Sequence, residues 1–105
     1  LVASHLLKRL HYLEDSQGDV YRLHYLRDKQ GHEVDFLVVK NRKPFILIEA
    51  KWSDRTLHRD LNYFGDKLGV ERRVQLVGEL EQSYKKDGVE IVPASRWLAR
   101  PLDEL

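Results

Sequence analysis

Two apolar, β-branched runs, residues 34–39 and 45–50, flank the polar segment Lys40, Asn41, Arg42, Lys43, and each run is interrupted by one carboxylate, Asp35 in the first and Glu49 in the second. Runs of this length and composition form strands, and a short polar link between two of them makes a hairpin. An unpaired carboxylate buried in such a hairpin costs on the order of several kcal/mol unless a cation or hydrogen bonds compensate it. The fold must therefore hold a central hairpin and provide partners for Asp35 and Glu49.

The segments around the hairpin supply the rest of an α/β domain. Val2, Leu6, Leu10 and Leu13 recur at helical spacing, with Leu7 widening the stripe, until residues 15–19 break the pattern. From Val20 the period becomes two. Tyr21, Leu23 and Tyr25 alternate with Arg22 and His24 as in a half-buried strand, and Asp28, Lys29, Gln30 and Gly31 form a turn. After the hairpin, Ser53 or Asp54 is a candidate cap for a second helix, with Leu57, Leu61, Phe64 and Leu68 as its buried stripe and Gly69 as its left-handed stop. Residues 73–77 form a fourth strand, Asp87-Gly88 a turn and residues 89–92 a short fifth strand, and Pro93 leads into a last helical turn around Trp97 and Leu98. The predicted order is α-β-β-β-α-β-β in one unit spanning residues 1–105, a mixed β-sheet of about four to five strands flanked by helices.

Composition narrows the function by exclusion. A single domain of 105 residues buries enough apolar surface for an ordinary core without cross-links. With no cysteine there is neither a disulfide framework nor a thiolate metal site, and a cytoplasmic, reducing compartment is the expectation. No apolar run approaches the ~18 to 20 residues of a membrane span, and no signal peptide opens the sequence. Histidines 5, 11, 24, 32 and 58 form no His-x3-His pair on a predicted helix, which argues against zinc. Lys and Arg total 18 against 17 Asp and Glu, so no net field draws nucleic acid and a case for DNA has to come from a site. The lack of methionine, and a leucine at position 1 that opens directly into a helical pattern, read as an N-terminally truncated piece of a longer chain.

Whether Asp35 and Glu49 meet depends on the length of the hairpin loop. An odd-numbered loop such as Asn41, Arg42, Lys43 puts Asp35 opposite Glu49 and Glu33 opposite Lys51. A two-residue loop of Asn41 and Arg42 instead pairs Asp35 with Ile48 and parts the carboxylates to opposite faces. In the first register their Cβ atoms are about 5 Å apart, and each raises the pKa of the other unless a cation joins them. Mg²⁺ or Mn²⁺, hard cations that take oxygen ligands and keep open positions, suit such a pair. Lys51 lies two residues beyond Glu49 on the same strand face. Its ammonium can position or help deprotonate a water, or offset charge on a pentavalent phosphorus.

The stretch Gly31-His-Glu-Val-Asp-Phe, followed after the turn by Ile48-Glu-Ala-Lys, resembles the core of the PD-(D/E)XK, or restriction-endonuclease-like, nuclease superfamily. More narrowly, Tyr25-Leu-Arg running into that first stretch is similar to the nuclease-like domain found at the C-terminus of prokaryotic AAA-type ATPases, a resemblance that extends from Leu1 to about Leu98. It implies a restriction-endonuclease-like fold, hydrolysis of DNA phosphodiester bonds with Mg²⁺ or Mn²⁺, and an ATPase domain on the same parent chain. It also implies that Asp35, Glu49 and the backbone carbonyl of Ala50 hold the metal and that Lys51 is the catalytic lysine. A further acidic residue is expected just before the segment Leu1-Val-Ala, and Glu14 lies at the wrong end of the first helix to replace it.

Around this set, Glu33 is a candidate partner for Lys51, and Arg27, Lys29, Lys40 and Arg42 are candidate phosphate contacts, with Lys43 beside them. Trp52 either closes the core or stacks on a base. The competing expectation is a catalytically inactive module of the same fold that docks on or regulates the ATPase, or binds DNA, and keeps the carboxylates and lysine as an internal salt bridge.

Overall fold

The computed structural model describes residues 2–100, and for residues 12–17 the backbone alone; Leu1 and the side chains of Leu13 and Glu14 lie outside the described residues. In chain order the elements are α1 (Val2–Gln17), β1 (Tyr21–Arg27), β2 (Glu33–Lys40), β3 (Lys43–Lys51), α2 (Asp60–Leu68), β4 (Arg72–Val77), β5 (Tyr84–Lys86), β6 (Val89–Pro93) and α3 (Ala94–Leu98).

The central hairpin forms from β2 and β3, and it resolves the question of register in an unexpected way. Asn41 and Arg42 both take positive φ, 51° and 70°, as the two-residue type I′ turn requires. Lys40 accordingly pairs with Lys43 and Val39 with Pro44. Continued unbroken, that ladder would part the carboxylates. Phe45, however, is the extra residue of a β-bulge, and beyond it the pairs Val38↔Ile46, Leu37↔Leu47 and Phe36↔Ile48 belong to the register that brings Asp35 level with Glu49. The bulge lies where β3 projects past β4, whose pairing with it begins only at Ile46↔Arg72.

The sheet is six-stranded in the order β1-β2-β3-β4-β6-β5. The first three strands are antiparallel to one another, β3, β4 and β6 run parallel, and β5 closes the far edge antiparallel. One face, with Val38, Ile46, Ile48, Val74 and Leu76, packs against Leu6 and Leu10 of α1 and Trp97 of α3. The other, with Leu37, Leu47 and Val77, packs against Leu61 and Phe64 of α2. The Arg9 guanidinium crosses from α1 to donate to the carbonyls of Leu98 and Arg100, which ties the first helix to the end of the last. Among the described residues no helix is long and apolar enough to cross a membrane.

Several expectations are corrected, each for a local reason. The first helix runs on through Gln17 and stops at Gly18, φ 77°, because polar residues do not by themselves break a helix. Leu7 and Leu68 are exposed rather than part of the buried stripes, and Val70, just past the Gly69 stop, is buried in place of Leu68. Tyr25 points outward because a second bulge, between His24 and Leu26, hands the inward position to Leu26. The second helix begins at Asp60, not near Ser53 or Asp54: the Asp54 carboxylate accepts the Thr56 N–H in a local turn, and the segment before Asp60 wraps over the ends of β3 and β4. Strand β5, all three residues of it exposed, was unexpected because an edge strand held by backbone pairing needs no apolar pattern.

The β1–β2 turn is fastened to α2 through Asp28. Its Oδ1 accepts from the Gln30 and His32 N–H groups, its Oδ2 lies 2.9 Å from His32 Nδ1, and the His32 ring stacks on Tyr63 with centroids 3.8 Å apart. Desolvation alone would raise the Asp28 pKa, but hydrogen bonds from the Tyr63 hydroxyl and from the His32 ring and backbone hold it down to about 2. A folded-state pKa below the unfolded value of about 3.9 gives stability that is fully present above that value and lost as the pH falls through the folded one. Melting temperature followed against pH is expected to fall between about pH 4 and pH 2 in the wild type, while Asp28→Asn, less stable at neutral pH, shows a flatter profile there. Parallel profiles for the two proteins would remove Asp28 from this role.

Candidate functional site

Beyond Phe36↔Ile48 the described pairing of β2 and β3 ends, and the two carboxylates take over from the backbone. The Asp35 N–H donates to Glu49 Oε1 at 2.9 Å, and the Ala50 N–H donates to Asp35 Oδ2 at 3.0 Å. The pleat of β2 is broken at the same place, since Phe36 packs on the α1 side while Val34 is buried on the α2 side. Each acid thus ties down the opposite strand with one oxygen and keeps its second oxygen for another partner. Glu49 is only 6% exposed, and its Oε2 lies 3.6 Å from both Lys51 Nζ and His58 Nε2. Lys51 stays within reach of solvent, its side chain 30% exposed.

Burial raises the Glu49 pKa. The Asp35 N–H opposes the shift, the Asp35 charge adds to it, and His58 and Lys51 oppose it. Burial, more than any shortage of neighbouring positive charge, is what favours the protonated form of Glu49. The folded state holds the Glu49 proton more tightly than the unfolded chain does, so this group costs stability above the ordinary glutamate range and costs nothing below it. In the absence of divalent cations, Glu49→Gln is expected to be more stable than the wild type at pH 7, an advantage that shrinks toward pH 4. Urea unfolding at the two pH values reads this directly, and a Glu49→Gln protein less stable than the wild type at pH 7 would contradict it.

A second set of residues holds the site in shape. His58 Nε2 lies 2.7 Å from the Glu33 carbonyl oxygen and 3.8 Å from Asp60 Oδ2, while the Glu33 N–H donates to Asp60 Oδ2 at 3.0 Å. Gln75 stands beside Glu49 on β4 and is fully buried. Its Oε1 accepts the His58 N–H at 2.8 Å and its Nε2 donates to the Thr56 carbonyl at 2.9 Å. One glutamine thereby pins the loop that carries His58.

The other candidates are spread wider. The Glu33 carboxylate accepts from the Tyr25 hydroxyl at 2.6 Å, whereas the described ion pair of Lys51 is with Glu49. Arg27 pairs with Glu33 at the end of β1, and Lys29 is in the adjoining turn, so both are near the Asp35 end of the hairpin. Lys40 and Arg42 are at its tip, roughly 16 Å along the strand from Asp35, where Lys40 lies 3.8 Å from Asp19. A hollow of about 610 Å³ is also at the tip, lined by Val20, Arg22, Val39, Asn41 and Arg42 and by no acid or histidine.

Among the described residues no group of three or more His, Cys, Asp or Glu is placed to hold a metal ion. Two carboxylates are nonetheless a sufficient protein contribution for Mg²⁺ or Mn²⁺, which keep several waters and take further ligands from substrate phosphate. With one oxygen of Asp35 and one of Glu49 outside the hydrogen bonds to the facing strand, the latter shared with Lys51 and His58, the donor set of the residues present fits such a cation.

Sequence reasoning passed over His58 and Gln75. The signal that singled out Asp35 and Glu49, a polar residue inside an apolar β run, is equally present at Gln75 between Val74 and Leu76. His58 carries no such local mark. Residues 1–97 match the family described as Domain of unknown function (DUF4143). No curated protein and no solved structure matches the chain.

Proposed function

The chain belongs to that family, and on this premise we propose that it is a restriction-endonuclease-like nuclease domain that hydrolyses DNA phosphodiester bonds with Mg²⁺ or Mn²⁺ and works attached to an AAA-type ATPase module. The observation that carries the reading is the pair of carboxylates locked across the open end of the β2–β3 ladder, with Lys51 3.6 Å from Glu49. Asp35, Glu49 and the Ala50 carbonyl would hold the cation, which when bound supplies Lewis-acid polarisation of a phosphoryl oxygen and a more acidic water.

The chain's own residues do the rest. Hydrogen bonds donated by the Asp35 and Ala50 N–H groups fix the rotamers of both acids, so little reorganisation is needed when a phosphate arrives. The Lys51 ammonium, partly solvated yet adjacent to Glu49, can orient the attacking water or offset charge as it builds on the phosphoryl oxygens. Arg27 and Lys29 can meet phosphates close to the scissile one, and Lys40 and Arg42 phosphates farther along the strand. The test is incubation of supercoiled plasmid and of single-stranded DNA with the purified protein and Mn²⁺. Nicking or cleavage that EDTA stops is expected, and intact DNA with saturating Mn²⁺ would overturn the reading.

A second reading has an observation of its own in its favour. Glu49 Oε2 is already flanked by Lys51 and His58, an arrangement that can stand as an internal ion pair in an inactive module that docks on or regulates the ATPase or binds DNA. Intact DNA together with no Mn²⁺ binding is what that module would give.

A further inference from the structure

Trp52 follows the candidate catalytic lysine, and it is 75% exposed while the other tryptophan, Trp97, is 1% exposed. So large an apolar group left in water is informative, where a scattered leucine is not. Its backbone is not loose: the Lys51 carbonyl accepts the Gly78 N–H at 2.9 Å and the Trp52 carbonyl accepts the Glu79 N–H at 2.8 Å. The indole lies against Gly78 so closely that a Cβ there would come within 2.8 Å of Trp52 Cε3 and 2.9 Å of the Trp52 carbonyl oxygen. Glycine at 78 thus lets the ring lie on the backbone, held in place without being covered.

Beside the ring is a hollow of about 270 Å³, walled by Val2, Ala50, Leu76 and Ala94 and bordered by Lys51. It opens at the carboxyl ends of the parallel strands β3, β4 and β6, where ligands of parallel sheets bind. Cavities for drug-sized ligands run from about 300 to 1,000 Å³, so this one suits a single planar ring system rather than a larger ligand. Its walls are apolar and its one large surface is aromatic, and the Lys51 side chain leaves the strand at its rim on the opposite face, toward Glu49, so a phosphate would reach the ammonium around the end of β3.

We infer that this hollow takes one unstacked nucleobase of a single-stranded or locally opened nucleic acid, with the base on the Trp52 indole and the adjoining phosphate directed to Lys51. The inference rests on the nuclease reading and deepens it by naming the substrate class: an aromatic platform one residue from the lysine selects strands whose bases are free to stack, not intact duplex.

The experiment uses the full chain in EDTA, so that nothing is cleaved, with a fluorescein-labelled oligothymidylate read by anisotropy. Trp52→Ala is expected to weaken binding about tenfold, Trp52→Phe to keep most of it, and Gly78→Ala, which displaces the ring, to behave like Trp52→Ala. An abasic oligonucleotide of the same length should bind the wild type and Trp52→Ala alike. Equal affinity of base-bearing and abasic strands for the wild type, no loss in Trp52→Ala, or a duplex bound as tightly as the single strand would overturn the inference. A Trp52 emission already shielded from acrylamide in the free protein and unmoved by the oligonucleotide would do the same, by showing that a segment of protein fills the hollow. Mn²⁺-dependent cleavage assayed in parallel keeps the two readings apart, since nuclease activity retained in Trp52→Ala with unchanged binding defeats the platform alone.

Discussion

Lys51→Ala is expected to abolish phosphodiester cleavage, by at least about a hundredfold in rate, while leaving the fold in place. The Lys51 side chain is 30% exposed and its described ion pair is a single contact of 3.6 Å with Glu49, so its loss removes little packing. An ion pair reached by solvent contributes at most about 1 kcal/mol, and the melting temperature should move by only a few degrees. What the variant does remove is the one ammonium next to the two acids. No other described lysine or arginine pairs with Asp35 or Glu49, and His58, which also flanks Glu49, is shared with the Glu33 carbonyl and the Asp60 carboxylate. A Lys51→Ala protein that cuts DNA at the wild-type rate would take the lysine out of the chemistry.

The second large effect is on stability and falls on a residue that touches no predicted ligand. Gln75→Leu keeps the volume of a fully buried side chain but strips the His58 N–H and the Thr56 carbonyl of their partner. Each of the two polar groups left unpaired costs about 1 to 3 kcal/mol, so a loss of roughly 2 to 6 kcal/mol in urea unfolding is expected, toward the lower end to the extent that the freed loop admits water. Freed of Gln75, the loop no longer fixes His58 beside Glu49. Cleavage in the surviving folded protein should therefore fall as well, although Gln75 meets neither substrate nor cation. A variant as stable as the wild type would show that the loop is held by something else.

The residues that carry this account were visible in the sequence to different depths. Asp35 and Glu49 stood out because a carboxylate in an apolar β run requires compensation, and the helical stripe of α1 and the Gly69 stop of α2 were legible from spacing and from glycine's tolerance of positive φ. The meeting of the two acids was legible only as a choice between two registers. The two-residue turn was the right loop and yet the wrong argument: Phe45, an ordinary strand residue by composition, supplies the offset, and a bulge that depends on where β3 overhangs β4 leaves no mark in a local pattern. The segment from Ser53 to Arg59 read as the start of a helix because Ser53 or Asp54 can cap one and Leu57 fits its stripe, but its backbone is claimed by Asp54 and by Gln75 from a distant strand. His58 could not be assigned to the site until that strand was in place.

The proposed nuclease function depends on a cation joining Asp35 and Glu49. Titrating Mn²⁺ into the metal-free protein by calorimetry, with melting temperature as a parallel readout, measures this most directly. The account predicts one saturable site, a melting temperature that rises with free Mn²⁺, and loss of both signals in Asp35→Ala and in Glu49→Gln. No binding by the wild type, or binding unchanged in Asp35→Ala, would contradict it.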